Sequence, residues 1–475
     1  SQSQSQSRSG LPYVPLGALL LVFVANQWSR ALIYYINNFN LPNLADQLEQ
    51  ASRLYANIDL GYDQQQYAVL ASLGFTLTFS ISSLCAGYIV DRYNRGIVSA
   101  LAAIAWSIAL GLGSMSSSYD QILLSRALMG VAQALTTPAA YTLLADLTPK
   151  ELIASANSVF SSGIYLGGGL ASLSLVLDQA IGWRETGYLV SGFGILSAVV
   201  AAVLIRDPRY APKPKPKVEA AGLGAETRKK KQEDQTTDSK DQPSLGVLSA
   251  VKAMAASPAV LALLSASTVR FIAGFTIAAW KAPLFLSLFP DQATNFGVSN
   301  AAIVAAAGST STIVGGALAD RLARDAGGEG KLGKLNQAQI RLLVPIVGSA
   351  LAAPLWAMTA TAGTFEGASS ALLVEYLVAE CWFGPALAGL YAALPDPRLR
   401  GSTQGVFSVL TALGNLGPVA VGALLSSSGI FGVGADTPIQ DALLWTVTPA
   451  YAMSSVLFAF AASQLGDDDD DRAGK

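Results

Sequence analysis

The chain contains no histidine and only two cysteines. Histidine is the side chain that most often carries protons near neutral pH and most often binds metal ions. Its absence excludes histidine-dependent chemistry, and the sequence predicts neither a metal site nor a cofactor. Cys85 and Cys381 lie in apolar runs far apart in the chain, which argues against a disulfide. Since the sequence also shows no phosphate-binding loop and no serine–histidine–acid set, it does not indicate an enzyme.

Charge is also scarce. Only 13% of the residues are charged, whereas 52% are hydrophobic, and soluble domains carry about a quarter charged residues. This deficit is typical of a protein whose surroundings are mostly lipid. The net charge of -2 gives no electrostatic basis for binding nucleic acid. The composition therefore predicts an integral membrane protein.

Apolar runs of about 20 residues, long enough to cross a bilayer, recur along the chain. They predict an all-α membrane protein of twelve transmembrane helices, acting as a monomer. The predicted spans are 16–37, 67–90, 97–116, 119–146, 151–177, 186–205, 260–288, 298–319, 340–362, 368–394, 403–425 and 441–463. The predicted domains are a polar tail (1–13), a six-helix bundle (14–205), a linker (206–257), a second six-helix bundle (258–464) and an acidic tail (465–475).

The distribution of Lys and Arg predicts the orientation of the spans. Basic residues concentrate in the central linker and in the loops 91–95, 321–341 and 396–400, whereas the alternate loops are neutral or acidic. Basic loops face the cytoplasm, so both termini are predicted to be cytoplasmic. This pattern does not distinguish the plasma membrane from an organelle membrane. The linker, rich in Pro, Lys, Glu, Asp and Gln, is predicted to be flexible, and 1–10 reads as a solvated tail or the remnant of a presequence.

Two similar motifs follow the second and eighth helices. GYIVDRYNRG (residues 87–96) is matched by GGALADRLAR (residues 315–324), and matching landmarks in both halves indicate two parallel six-helix repeats. The motif resembles the signature loop of the major facilitator superfamily. It is predicted either to act as a latch that closes the cytoplasmic side or to serve as a plain positive anchor. The residues of the predicted gating motif are Gly87, Asp91, Arg92, Arg95, Gly316, Asp320 and Arg321.

Longer segments resemble Spinster-type transporters. The segments are ANQWSRALIYYI (25–36), SRALMGVAQALTTPAAYTLLADLTPKELIASANSVFSSGIYLGGGL (125–170), AAWKAPLFL (278–286) and WFGPALAGLYAALPDPRLRGSTQGVFSVL (382–410). The resemblance implies a transporter of lysophospholipids, sphingoid phosphates or other amphiphiles, with a cavity lined by the first, fourth, seventh and tenth helices. Two positions depart from the family, because Ser29 and Gln133 stand where it usually has acids. These departures put proton coupling by the usual route in doubt.

Charged residues within membrane spans are costly and usually face a cavity. Arg30 and Arg126 both fall towards the outer side of the membrane, and Arg126 shares a helical face with Gln133. Arg270 and Lys281, eleven residues apart, share a face of the seventh helix. We expect these five residues, with the aromatic Tyr34 and Trp280, to bind substrate. Plainer roles stay open. Arg270 could form a structural ion pair, the Lys281 side chain could extend to the membrane–water interface, and the aromatic residues could serve packing.

The tenth helix carries two acids, Glu375 and Glu380, about 140° apart on the helix. They are the candidates for proton coupling, unless Glu380 is the structural partner of an arginine. The sequence predicts an alternating-access secondary transporter of an amphiphilic anionic or zwitterionic substrate, such as a lysophospholipid. The alternatives are a transporter of a small organic or phosphorylated anion, and a membrane receptor that does not transport.

Overall fold

The computed structural model describes residues 12–40, 45–149, 152–210, 252, 254–325, 335–394, 399–425 and 439–473. In these ranges the chain is nearly all helical, and its helices form segments at the positions of the twelve predicted spans. The spans of the N-terminal half are α1 (Tyr13–Ala31), α2 (Gln64–Ala71 and Leu73–Arg92), α3 (Arg95–Ser114), α4 (Tyr119–Gln133 and Thr136–Leu147), α5 (Ile153–Ser161 and Gly163–Ile181) and α6 (Trp183–Leu204).

The C-terminal half repeats the same series. Its spans are α7 (Pro258–Leu288), α8 (Ala293–Ala302, a π-helical turn Ile303–Gly308, and Ser309–Asp325), α9 (Gln337–Thr361), α10 (Phe365–Ala379 and Phe383–Ala393), α11 (Arg400–Gly414 and Leu416–Leu425) and α12 (Ile439–Ala473). Among the described residues, ten helices are long and apolar enough to cross a membrane by length and composition alone. The two outside this set are α4 and α11, and the apolar part of α11, Val409–Leu425, is shorter.

Three of the helix breaks have a common cause in the sequence. The interruptions in α4, α10 and α11 each lie about four residues before a proline, at Pro138, Pro385 and Pro418 respectively. A proline inside a helix removes the hydrogen bond to the carbonyl four residues earlier and clashes with that carbonyl. The breaks therefore fall where the missing hydrogen bond leaves the backbone free to bend.

Glycines bring neighbouring helices of each half together. A Cβ added at Gly167 of α5 would lie 2.5 Å from the Cβ of Gln27 in α1, and one at Gly417 of α11 would lie 2.8 Å from the carbonyl oxygen of Ile272 in α7. Small residues allow such close contacts between membrane helices. The glycine-rich helices α5 and α11 are thus packed tightly against α1 and α7.

The segments outside the spans differ from the prediction in two places. The loop between α1 and α2 contains two short helices, Ala45–Leu54 and Ala56–Leu60. The first residues of the predicted linker are packed, because a 3₁₀ turn, Pro208–Tyr210, docks on the N-terminal half. Residues 1–11 and 211–251 lie outside the described ranges, and the α12 backbone continues helically through the aspartate run to Ala473.

Since the spans alternate in direction, α1 begins, α6 ends, α7 begins and α12 ends on one side of the bundle. We call this side the linker face and the other side the opposite face.

Candidate functional site

The two halves are joined at the opposite face. The first segment of α2 packs on the second segment of α11, and the second segment of α5 packs on the first segment of α8. The Tyr67 hydroxyl of α2 donates a hydrogen bond to the Ala279 carbonyl of α7. The Trp280 indole, next along α7, stacks edge-on against Tyr67 and donates to the Pro418 carbonyl at 3.1 Å.

A second polar contact joins α1, α5 and α8. The Asn300 amide donates to the Ser172 hydroxyl at 2.8 Å and to the Tyr35 hydroxyl at 3.1 Å. Ser172 in turn donates to the Gly297 carbonyl at 3.0 Å. All these side chains are buried. Together with the Tyr67–Trp280 contact they form a closure between the halves, which we call the seal.

The innermost cross-half contact lies near the middle of the membrane spans. The Tyr165 ring of α5 packs directly over Gly308, where a Cβ would come 2.4 Å from the ring. Gly308 ends the π-helical turn of α8, a feature frequent at functional sites. The Tyr165 and Thr312 hydroxyls are 2.6 Å apart, and Thr312 also donates to the Glu380 carbonyl at 3.3 Å. The seal therefore extends inwards to the charged residues of α10.

At the linker face the described parts of the two halves are apart. A Cβ added at Gly87 of α2 or at Gly316 of α8 would meet no described atom within 4 Å. Nearby apolar side chains are exposed, including Leu84 at 80% and Ile313 at 65%. The cross-half hydrogen bonds between described residues all lie between the opposite face and the middle of the spans. The conformation is sealed at the opposite face and open at the linker face.

The N-terminal half places two arginines on one aromatic ring. The Arg30 and Arg126 guanidinium carbons lie 4.7 Å and 5.3 Å from the centroid of the Phe75 ring. Arg126 is buried and donates to the backbone carbonyls of Arg30 at 3.0 Å and Leu70 at 3.2 Å. Neither arginine has a carboxylate within 4.0 Å in the described part of the chain. We call this pair of arginines the N-half cation site.

Two neutral side chains stand beside the N-half cation site. The Gln133 amide donates to the Ser29 hydroxyl at 3.0 Å, and Ser29 donates to the Asn26 carbonyl at 2.8 Å. Ser29 and Gln133 are the two positions where acids were expected from the resemblance. Because Ser29 and Gln133 contact each other directly, the two differences from the Spinster-type pattern lie at one place in the structure. Tyr34 lies close enough to both arginines to interact electrostatically.

The C-terminal half balances its charges. The Arg270 guanidinium of α7 donates to the Ala379 carbonyl at 2.8 Å and to the Glu380 carboxylate at 3.3 Å. Its carbon also lies 4.7 Å from the Tyr451 ring centroid, and the Tyr451 hydroxyl donates to the buried Glu375 carboxylate. The structure thus gives Arg270 and Glu380 the ion pair that the sequence analysis weighed as the plainer alternative.

Lys281 completes this second group of charges. It is 2% exposed, so its amine does not reach the membrane interface, and it donates instead to the Tyr376 hydroxyl at 2.6 Å. Lys281 and Arg270 both act electrostatically on Glu375 without making an ion pair with it. We call Arg270, Lys281, Glu375 and Glu380 the C-half charge cluster. Trp280, predicted to line the cavity, is instead fully buried in the seal, because its indole fills the contact between α2, α7 and α11.

At the linker face, the buried residues Arg95 and Asp207 are the centre of an ion network. The Arg95 guanidinium contacts Asp146 at 2.6 Å and Asp207 at 2.8 Å, and Arg209 contacts Asp207 at 2.9 Å. Burial alone would raise the pKa of the Asp207 carboxyl, but hydrogen bonds from Arg95 and Arg209 outweigh it and hold this pKa well below its usual range. The network ties α3, α4 and the start of the linker together in a fixed arrangement.

The predicted latch residue Asp91 has a different environment from that expected. Its carboxylate makes no ion pair with a described residue, and Arg209 donates instead to its backbone carbonyl at 2.9 Å. Gly87 packs against no helix here, because the linker face is open. Arg92 stacks over the Tyr88 ring at 4.2 Å. In the C-terminal half Asp320 contacts Arg341 at 3.1 Å, and Arg321 contacts Asp325 at 3.8 Å.

Sequence reasoning missed the seal and the Asp207 network. Tyr35, Tyr67, Ser172 and Asn300 are common residues without a motif, and only packing brings them together. Asp207 and Arg209 did carry a signal, since they are the first charges after α6 apart from Arg206 and flank Pro208. The sequence analysis assigned them to the linker.

Comparisons with known proteins agree with this architecture. The family model of the Major Facilitator Superfamily matches residues 23–418. Protein spinster of Drosophila melanogaster is 27% identical over 179 residues, and spinster homolog 1 of Homo sapiens is 27% identical over 182 residues. Each match covers 37% of this chain but only 28% and 33% of those proteins. The aligned part thus spans about a third of the length of these relatives.

Among solved structures, the fold is similar to that of a bacterial homolog of the human lysosomal transporter Spinster in an inward-facing and unoccupied conformation. The TM-score is 0.68 at 18% identity, with 96% of this chain and 97% of that chain covered. At this identity the likeness shows the fold alone. Fold and family together define a multi-pass membrane protein. The chain belongs to the major facilitator superfamily, and its sequence is similar to the Spinster proteins.

Proposed function

We propose that this transporter works by alternating access and moves an amphiphile with an anionic or zwitterionic headgroup, such as a lysophospholipid. The observation that carries the proposal is the N-half cation site, where Arg30 and Arg126 lie on Phe75 without an acidic partner in the described residues. Buried charges need a counter-charge, and a substrate phosphate or carboxylate would supply one. Guanidinium groups suit such anions because they can bind them with two hydrogen bonds.

The surroundings of the site support an apolar part of the substrate. The Phe75 and Phe79 rings stack at 5.5 Å, and Arg30 lies 5.7 Å from the Phe79 ring centroid. A headgroup at the arginines would therefore have aromatic rings beside it. A small organic or phosphorylated anion is the second candidate, since the cations alone would suffice for it. A receptor that binds such a ligand without transport is the alternative of a different class.

The test is a flux assay with purified protein in liposomes. We expect uptake of an anionic and a zwitterionic lysophospholipid, and none of an uncharged monoacylglycerol of the same chain length. Uptake of small phosphorylated anions alone would favour the second candidate. Saturable lysophospholipid binding without flux would favour the receptor.

We further propose that transport is driven by the substrate gradient, as in a uniporter or exchanger. The support is that Ser29 and Gln133 are neutral and bonded to each other, and that Glu380 is engaged with Arg270. Accumulation of substrate driven by a pH gradient alone would contradict this proposal, and a Glu380→Gln variant that lost the pH response would then identify the coupling group.

We also propose that the linker face is cytoplasmic. Arg92, Arg95, Arg209 and Arg321 lie at that face, and basic residues mark the cytoplasmic side. Labelling of single cysteines at Ser117, on the opposite face, and Arg324, on the linker face, by an impermeant reagent in sealed cells tests the orientation. Reaction at Ser117→Cys alone is expected, and the reverse pattern would invert the assignment.

A further inference from the structure

A groove of about 820 Å³ runs along the outer surface of the N-terminal half. Its walls come mainly from α3 and α4, including Ile97, Leu101, Ile108, Leu128 and Val131. On α3 it extends from Asn94 to Leu112, about 27 Å at 1.5 Å per residue. This length is close to the thickness of the hydrocarbon core of a bilayer, about 30 Å.

The groove faces away from the central pathway. α3 packs on α4 and α6 of its own half, whereas the seal is made by other helices. Its wall residues Ile97 and Leu101 are more than half exposed, at 56% and 60%. In a membrane protein such an apolar surface is covered by lipid. A continuous groove, unlike a flat helix face, can hold one acyl chain in a fixed position, and its volume is in the range of pockets that bind small ligands.

Polar groups gather at one end of the groove. Tyr93, Asn94 and Tyr210 line it where it reaches the linker face. The Tyr210 hydroxyl donates to the Arg92 carbonyl at 3.1 Å, which places Arg92 beside this end. The Arg92 side chain is exposed and lies over the Tyr88 ring. Tyrosine at the headgroup level and an exposed arginine are suited to a lipid headgroup of negative charge.

We propose that this groove binds a bilayer phospholipid whose acyl chain lies along α3 and α4 and whose anionic headgroup lies beside Arg92. The site is separate from the transport pathway, and it does not depend on which substrate the protein carries. Because Tyr210 lines the groove and the neighbouring Arg209 belongs to the Asp207 network, the lipid would contact the segment where the linker leaves the N-terminal half.

The experiment is native mass spectrometry of the purified protein, offered equal amounts of phosphatidylglycerol and phosphatidylcholine with identical acyl chains. We expect phosphatidylglycerol to be retained about fivefold more than phosphatidylcholine. This ratio corresponds to the attraction of about 1 kcal/mol between an anionic lipid and one arginine near the membrane surface. Ala105→Trp, which fills the groove, should remove this bound lipid. Ala350→Trp is the matched control, because Ala350 is exposed on α9, the repeat equivalent of α3, and it should retain lipid like the unchanged protein.

Arg92→Gln is a second variant, at an exposed position where it does not disturb packing. It should keep one bound lipid but lose the preference for phosphatidylglycerol. Equal retention of the two lipids by the unchanged protein would overturn the headgroup assignment. Unchanged retention in folded Ala105→Trp protein would overturn the groove as the site, and an unchanged preference in Arg92→Gln would overturn the role of this arginine.

Discussion

The two halves of this protein share one fold but differ in the partners of their buried charges. In the N-terminal half Arg30 and Arg126 lie on Phe75 with no carboxylate within 4.0 Å in the described residues. In the C-terminal half Arg270 pairs with Glu380, and Glu375 accepts from Tyr451 close to both cations. We propose that this difference divides the roles of the halves, so that the first half attracts the anionic substrate and the second half holds its own charges in balance.

The two halves also differ at the linker face, where both have ion pairs but only those of the N-terminal half are buried. Asp207 is fully buried between Arg95 and Arg209, whereas the C-terminal ion pairs of Asp320 and Arg321 are exposed. Removing one partner of a buried ion pair destabilises a protein by several kcal/mol, whereas an exposed pair contributes about 1 kcal/mol or less to its stability. The repeats therefore differ in where an ion pair matters for stability.

The largest expected effect is on the N-half cation site. Arg126→Ala should lower substrate flux about 10- to 100-fold, because hydrogen bonds to a charged group are worth about 1.5–3 kcal/mol. Arg126→Lys should restore only part of the flux, since an ammonium group cannot form the two parallel hydrogen bonds of a guanidinium. Initial flux rates in liposomes are the measurement.

Arg184→Ala is the matched control for this prediction. Arg184 belongs to the same half but pairs with Asp59 at the opposite face, so its loss should leave flux nearly unchanged. Equal flux in the Arg126 and Arg184 variants would remove Arg126 from the substrate site.

The next effect concerns stability at the linker face. Asp207→Asn should destabilise the protein by about 3 kcal/mol at neutral pH, because Arg95 and Arg209 lose a buried partner. The lowered pKa of Asp207 means that its stabilising contribution is present above the unfolded pKa of about 3.9 and is lost as the pH falls towards the folded value. The measurement is thermal unfolding in detergent as a function of pH.

Asp320→Asn serves as the comparison in the other half. Its exposed pair with Arg341 should contribute less than about 1 kcal/mol. A similar loss of stability in the two variants would show that the two linker-face ion pairs are equivalent and would end the contrast between the repeats.

A smaller effect is expected where the two halves touch. Tyr165→Phe removes the hydrogen bond to Thr312 across the seal, worth about 1 kcal/mol, and should shift the conformational equilibrium about fivefold towards opening at the opposite face. Spin labels at Ser117→Cys and Asp291→Cys would report the change as a larger population at long distance.

The control is Tyr141→Phe, which removes a similar hydroxyl contact, to Ser161 at 2.9 Å, inside the N-terminal half. It should leave the distance distribution unchanged. If both variants changed the distribution alike, the Tyr165 contact would have no special part in joining the halves.

The smallest effect concerns Asp91. Its carboxylate has no ion partner among the described residues here, so Asp91→Asn should not alter the stability of this open conformation. If Asp91 is a latch in the conformation that is closed at the linker face, however, loss of its charge should favour opening at that face. Faster labelling of a cysteine at Ser83, one turn from Gly87 on α2, is the expected sign. Unchanged labelling together with unchanged flux would support the plain anchor.

The span positions were predictable because hydropathy is a local property. All twelve spans lie within a few residues of their predicted ranges at most ends, and the breaks in α4, α10 and α11 follow from Pro138, Pro385 and Pro418. The main exceptions are the ends of α8 and α12, where charged residues continue the helix beyond the apolar run.

The candidate site was predictable only in its residue types. The free-energy cost of a charged side chain within a membrane span identified Arg30, Arg126, Arg270 and Lys281 as candidates. It did not identify the partner of each one. Trp280 shows why, since its sequence context suits a cavity wall and a packed contact equally well.

Apolar runs and the matching motifs of the two halves thus predicted a membrane protein of two six-helix repeats. Apolar runs suffice to predict helices because a helix in lipid must satisfy its own backbone hydrogen bonds wherever it lies. The tertiary structure alone decided that Ser29 meets Gln133, that Glu380 meets Arg270 and that the opposite face is sealed. These contacts join helices distant in the sequence, and whether a buried charge has a partner depends on distances of a few ångströms, over which the electrostatic energy changes steeply.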